Sequence, residues 1–145
     1  MAQRHLLPFL ILSIAAWGQS PTTPSASDPE SVIRNFYQAF NAHDPAQMAD
    51  RATEDVKWMS VKEATITVET SGRAELKTSM EQYFRGVPTV ESKLESLIVT
   101  GPYVTVHERV RWKAKSGDKT QSALAVYEVR DGKVARAWYF FPVLP

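Results

Sequence analysis

The chain has 145 residues, 43% hydrophobic, 23% charged and 10% aromatic, which is the composition of one folded domain. It argues against a disordered tail, a collagen-like repeat or a multi-domain machine. A net charge of +1 leaves no large basic field for nucleic acid or an anionic membrane, and the lack of Cys removes disulfides, thiol nucleophiles and thiolate metal sites.

Arg4 and His5 precede an apolar run from Leu6 to Ala16, shorter than the roughly twenty residues that a membrane-spanning helix needs. A basic start, a run of this length and the small residues Ala16 and Gly18 read as a secretory signal peptide over residues 1–18, cleaved before Gln19. Gln19 to Ser27 is polar, with two prolines and no apolar period, and reads as a flexible leader. The expectation is therefore an exported chain, periplasmic or secreted, with no stable membrane anchor after signal removal and one domain over residues 28–145.

Within that domain, Asp28-Pro29-Glu30 is a helix start, and Val32, Ile33, Phe36, Tyr37 and Phe40 then recur at helical spacing. Asp44-Pro45 repeats the start signal for a second, shorter helix. Val56 to Val61 and the β-branched Thr65 to Thr70 are short strand candidates. After Ser71-Gly72 a third helix places Leu76, Met80, Tyr83 and Phe84 on one face and stops near Gly86. Four alternating runs follow: Val90 to Thr100, Tyr103 to Lys115, Thr120 to Arg130 and Lys133 to Phe141. They are separated by Gly101-Pro102, Ser116-Gly117-Asp118 and Asp131-Gly132, all turn chemistry. Connections this short predict an antiparallel meander, and helices followed by a long sheet predict an α+β layout. Apolar residues fall on both faces of the final strands, so one face is expected under the helices and the other against a second subunit, making a homodimer.

Three strings, Phe36-Tyr37-Gln38-Ala39-Phe40-Asn41-Ala42-His43-Asp44, Gly72-Arg73-Ala74-Glu75-Leu76 and Val129-Arg130-Asp131-Gly132-Lys133-Val134, occur in this order around the elements above. In this the chain resembles the nuclear transport factor 2-like superfamily in its SnoaL-like branch. The resemblance implies a cone-shaped, cystatin-like fold, in which three helices pack on a curved antiparallel sheet around a deep apolar pocket. It also brings in polyketide cyclases, a ketosteroid isomerase, limonene epoxide hydrolase and non-catalytic binders as possible models for activity.

The catalytic groups of those relatives do not carry over. The cyclase and isomerase acid on the strand before the Asp-Gly turn falls at Ala125, the isomerase Tyr at Phe36 and its base near Trp58. His107-Glu108-Arg109-Val110-Arg111 resembles the epoxide hydrolase motif, but the two acids of that mechanism fall at Arg111 and Tyr139, and an Arg cannot give up a proton at usable pH.

What remains is a set of binding candidates. Trp58, Tyr83, Tyr127, Tyr139 and Phe141 are expected to line the pocket, with Arg109 and Arg111 gripping an anionic group there. The bland alternative for the two Arg residues is a solvated strand face, paired with Glu108 or Glu95. His107 and Tyr139 are the weak catalytic candidates; a lone His on a strand is more often a packing residue. His43, at a helix end, is expected to serve nearby carbonyls. No metal site and no cofactor are expected. The overall expectation is a binder of a small, partly apolar, anionic molecule. An enzyme of the same fold with non-standard residues is the alternative, and a protein-interaction module is the third reading.

Overall fold

The computed structural model describes residues 28–140, so the signal-peptide and leader expectations and the assignment of Phe141 lie outside the described residues. Helix α1 (Pro29–Asn41) begins as expected: the Asp28 carboxylate accepts from the Ser31 amide at 3.2 Å, and Pro29 opens the helix. It buries Val32, Ile33, Phe36, Tyr37 and Ala39. Asp44 caps the short α2 (Pro45–Asp50) through the Gln47 amide at 2.9 Å. Strand β1 (Ala52–Lys62) is longer than its apolar run suggested and is followed by β2 (Thr65–Ser71) and α3 (Arg73–Gly86). The Arg73 guanidinium donates to the Ala52 carbonyl at 2.8 Å and meets Glu54 at 2.6 Å, which ties the start of α3 to β1.

The meander then runs through β3 (Glu91–Thr100), β4 (Tyr103–Ala114), β5 (Gly117–Arg130) and β6 (Lys133–Phe140). Asp131 at φ 53° and Gly132 at φ 70° give the β5–β6 turn its positive dihedrals, the geometry that Asp-Gly favours. The six strands lie in one sheet in the order β2-β1-β6-β5-β4-β3. All neighbours are antiparallel except β1 and β6, a parallel pair that brings Trp58 opposite Ala137 and Ser60 opposite Tyr139. The architecture is thus the expected α+β, with three helices on a curved sheet.

The core lies between α1 and the concave face of this sheet. Phe36, Tyr127, Val104, Val106 and Ala137 are buried there, with Leu76 of α3 closing the cluster. On β4 the even positions, Val104 to Trp112, face inward, and the odd positions, among them His107, Arg109 and Arg111, face outward. Among the described residues no helix is long and apolar enough to cross a membrane.

Candidate functional site

Between α1, α3 and the concave sheet lies a cavity of about 730 Å³. At its inner end, three hydroxyls converge from three elements. Tyr37 Oη on α1 is 2.9 Å from Tyr127 Oη on β5 and 3.1 Å from Tyr139 Oη on β6, and the two strand tyrosines are 2.6 Å apart. Small residues make this possible: Tyr127 sits opposite Ala137 and Tyr139 opposite Ala125, so each ring lies beside a neighbour that leaves it room. Burial first, and then Tyr127, raise the pKa of Tyr37 and Tyr139 well above that of an ordinary phenol. Burial followed by the Glu108 charge raises that of Tyr127. The trio therefore acts as neutral donors and acceptors.

Glu108 joins this cluster from β4. It is 3% exposed and sits opposite Ala123, another small residue that leaves space above the sheet. Ser92 Oγ donates to its carboxylate at 2.5 Å. Ser92 is itself held by Asn41, the last residue of α1, which accepts from its amide and donates to its carbonyl, both at 2.8 Å. Burial raises the pKa of Glu108 above the usual carboxylate range, with partial relief from hydrogen bonding to Ser92, Tyr139 and Tyr37. A carboxyl placed this way can hold its proton closer to neutrality than a surface acid, in reach of hydroxyls that can pass it on.

The wider walls are aromatic. Trp58 stacks on Tyr139 with centroids 4.9 Å apart and an interplanar angle of 20°, and Phe36 lies against its indole at 6.0 Å. Tyr83, 38% exposed, stands on the α3 side of the cavity. Thr70 contributes a buried hydroxyl that has no hydrogen-bond partner among the described residues. Among the described residues no Lys, Arg or His lines this cavity. Among the described residues there is also no group of three or more side chains suited to a metal ion.

Trp58, Tyr83, Tyr127 and Tyr139 thus come together as cavity residues. The inward placement expected for Arg109 and Arg111 is corrected. Both stand on the convex face, Arg109 Nε 2.8 Å from Glu95 and an Arg111 terminal nitrogen 2.7 Å from Glu91, and their side chains are 54% and 75% exposed. Arg111 borders a separate, charged outer cleft of about 510 Å³. The physical reason is strand alternation: once Val104 and Val106 are buried under α1, the two Arg residues must point the other way. His107 shares their face, 3.5 Å from Glu95, and does not line the cavity. His43 accepts a structural role, with Nε2 2.8 Å from the Val90 carbonyl and its ring stacked on Phe84 at 4.6 Å. Trp112, on the same face of β4 as Glu108, also lines the cavity.

Two cavity residues, Tyr37 and Glu108, are not among the pocket residues expected from sequence. Tyr37 lies one position beyond the Phe36 that was aligned with the isomerase tyrosine, and its place in the apolar stripe was the available signal. Glu108 alternates with Arg109 and Arg111, and that alternation groups it with Val104, Val106, Val110 and Trp112, the more core-like face.

Residues 33–137 match the family model described as the SnoaL-like domain. Among solved structures, the chain is similar to a cystatin-fold protein of uncharacterised function from Novosphingobium aromaticivorans. The TM-score is 0.67 at 17% identity, covering 77% of this chain and 96% of that one. It is also similar to a Kribbella flavida protein provisionally named a ketosteroid isomerase (TM-score 0.67, 21% identity, 81% and 79% covered). A Bacillus cereus protein provisionally named a polyketide cyclase is a third (0.64, 19%, 77% and 72%). No curated protein matches the chain. At these identities the structural likenesses establish the fold.

Proposed function

The chain belongs to the SnoaL-like domain family, and on that premise we propose that it is an exported, homodimeric binder whose cavity takes a small, largely apolar molecule. The observation that carries this reading is a cavity of about 730 Å³ lined largely by aromatic and other apolar side chains, with a few convergent polar groups at one end. This is the general build of a small-molecule site. A chain acting only through its surface gains nothing from a buried threonine hydroxyl without a partner or from a glutamate held in an apolar cone.

The basic start and short apolar run support export. The convex face supports a second copy of the chain as partner. Strand register aligns Val68, Met59, Trp138 and Val126 across β2, β1, β6 and β5, and in the next row Ile66, Val61, Phe140 and Leu124. Ile66, Val68, Leu124 and Phe140 are all exposed in the single chain, and contiguous apolar surface of this kind is uncommon on monomers. Glu108 beside the tyrosine hydroxyls favours one second reading, an enzyme of this fold in which that carboxyl replaces the acid lost at Ala125.

The pocket reading is tested with the neutral apolar dye Nile red and the variant Ala123→Phe, which places a ring in the cavity opposite Glu108. Dye fluorescence is expected to titrate with the wild-type chain and to weaken about tenfold or more in the variant, in keeping with the loss of an enclosed apolar site. Equal binding to both would place the dye on the outer face and reject the reading.

A further inference from the structure

Charge inside the cavity is one-sided. Glu108 lines it at 3% exposure, and a second carboxylate, the solvent-exposed Glu69, borders it with Ser60 Oγ donating to it at 2.5 Å. Among the described residues no Lys, Arg or His answers them there. The contrast with the outside of the same strand is sharp, since Arg109 and Arg111 each hold a glutamate at 2.8 Å or less. Removing a carboxylate from water is costly unless a positive charge accompanies it, and hydroxyls from Ser92 and the tyrosines compensate only in part.

Much of the remaining wall is aromatic, with Phe36, Phe40, Trp58, Tyr83 and Trp112 among its residues, and aromatic rings attract cations through the negative lobe of their quadrupole. Trp58 is packed with Phe36, Tyr127 and Tyr139 in stacked and edge-to-face pairs, with centroids 4.9 to 6.0 Å from its own. Carboxylates and ring faces favour the same sign of ligand charge.

We infer that the cavity accepts an organic cation, a compact tertiary or quaternary ammonium on an apolar body, with Glu108 as counter-ion and the rings around Trp58 as its cage. This rests on the pocket reading above and narrows the ligand class. It reverses the expected anionic head, which depended on an inward Arg109 and Arg111. Such a cation supplies the charge that the protein does not, and its apolar body replaces water against Phe36, Met80 and Val110.

The titratable groups facing Glu108 are Tyr37 from α1, Tyr83 from α3, Tyr127 from β5 and Tyr139 from β6, all phenols whose pKa is raised. Ser92, from β3, does not titrate. Among the groups packed against it, Glu108 is therefore the one carboxyl, and its deprotonated form is the counter-ion; Glu69, at the exposed part of the wall, is not in that cluster.

The test is displacement of Nile red from the full chain by phenyltrimethylammonium and by tert-butylbenzene, its uncharged carbon isostere. Glu108→Gln is expected to weaken the cation about tenfold or more and the neutral probe less than about twofold, the asymmetry expected when one partner of a buried charge pair is removed. Glu108→Asp should retain part of the cation response. Cation affinity in the wild type should rise with pH through the Glu108 titration, while the affinity for tert-butylbenzene stays flat. A flat cation profile, or equal losses of both probes in Glu108→Gln, overturns the inference. Displacement by tert-butylbenzene alone also overturns it and leaves the pocket reading intact. Dye binding insensitive to both probes and to Ala123→Phe rejects both.

Discussion

The two faces of β4 treat charge in opposite ways. On the convex face, Arg109 and Arg111 each meet a glutamate from β3 in water, with side chains more than half exposed. One residue away on the concave face, Glu108 is 3% exposed and is met by hydroxyls alone. Water screens the outer pairs, so they add little to folding and little is lost with them. The inner acid is held where burial disfavours its charge, a cost that folding alone does not require. A polar group placed against its own solvation preference, in a cavity, is the physical mark of a site.

The comparison is most directly strained by removing the floor of the cavity. Phe36 is 2% exposed and packs against both Trp58 and Tyr127. Phe36→Ala is expected to cost about 3–5 kcal/mol, the usual loss for truncating a buried aromatic ring. Urea denaturation measures it. A loss under about 1 kcal/mol, typical of surface substitutions, would mean that the concave wall is not packed and that its empty volume is no designed pocket.

A smaller and pH-dependent effect is expected at Glu108. Its folded-state pKa is raised by burial, so the folded chain keeps a proton that the unfolded chain has already released. Stability from this group is therefore complete below the unfolded glutamate pKa and is lost as pH rises through the higher folded value. Glu108→Gln keeps an acceptor for Ser92 and carries no charge. Its melting temperature should match that of the wild type in acid and exceed it at neutral pH. A difference that does not change with pH would show that Glu108 is solvated in the folded chain, and the contrast between the faces would disappear.

Much of the fold was legible because local chemistry repeats itself. Asp28-Pro29 and Asp44-Pro45 start helices wherever they occur, and Asp131-Gly132 closes a hairpin on dihedral grounds alone. The parallel pairing of β1 with β6 was not legible, since it joins residues some eighty positions apart and no turn announces it. The site was half legible for a related reason. Trp58, Tyr83, Tyr127 and Tyr139 are legible as cavity rings, and alternation places Glu108 on the face opposite Arg109 and Arg111. Which of the two sets faces inward depends on the side that α1 covers, a tertiary fact that a strand's period of two cannot carry. Resemblance to the epoxide hydrolase motif tipped that choice towards the Arg residues, whereas Val104 and Val106, both fully buried, tip it towards Glu108.

The smallest effects are expected at the outer pairs, and there a small effect is the informative result. Arg109→Ala breaks contacts to Glu95 that include an Nε approach of 2.8 Å, and Arg111→Ala breaks two hydrogen bonds to Glu91, at 2.7 and 3.1 Å. Geometry this good would be valuable in an apolar interior. At exposures of 54% and 75%, solvent screening and side-chain entropy offset most of it, and each substitution should cost less than about 1 kcal/mol. Neither Arg lines the large cavity, so Nile red affinity should stay within about twofold of the wild type in both variants, as for positions outside the enclosed apolar site. A tenfold loss of dye binding in Arg109→Ala would mean that this guanidinium reaches the cavity in solution. The inward face would then be the one carrying the Arg residues, and Glu108 would belong to the surface.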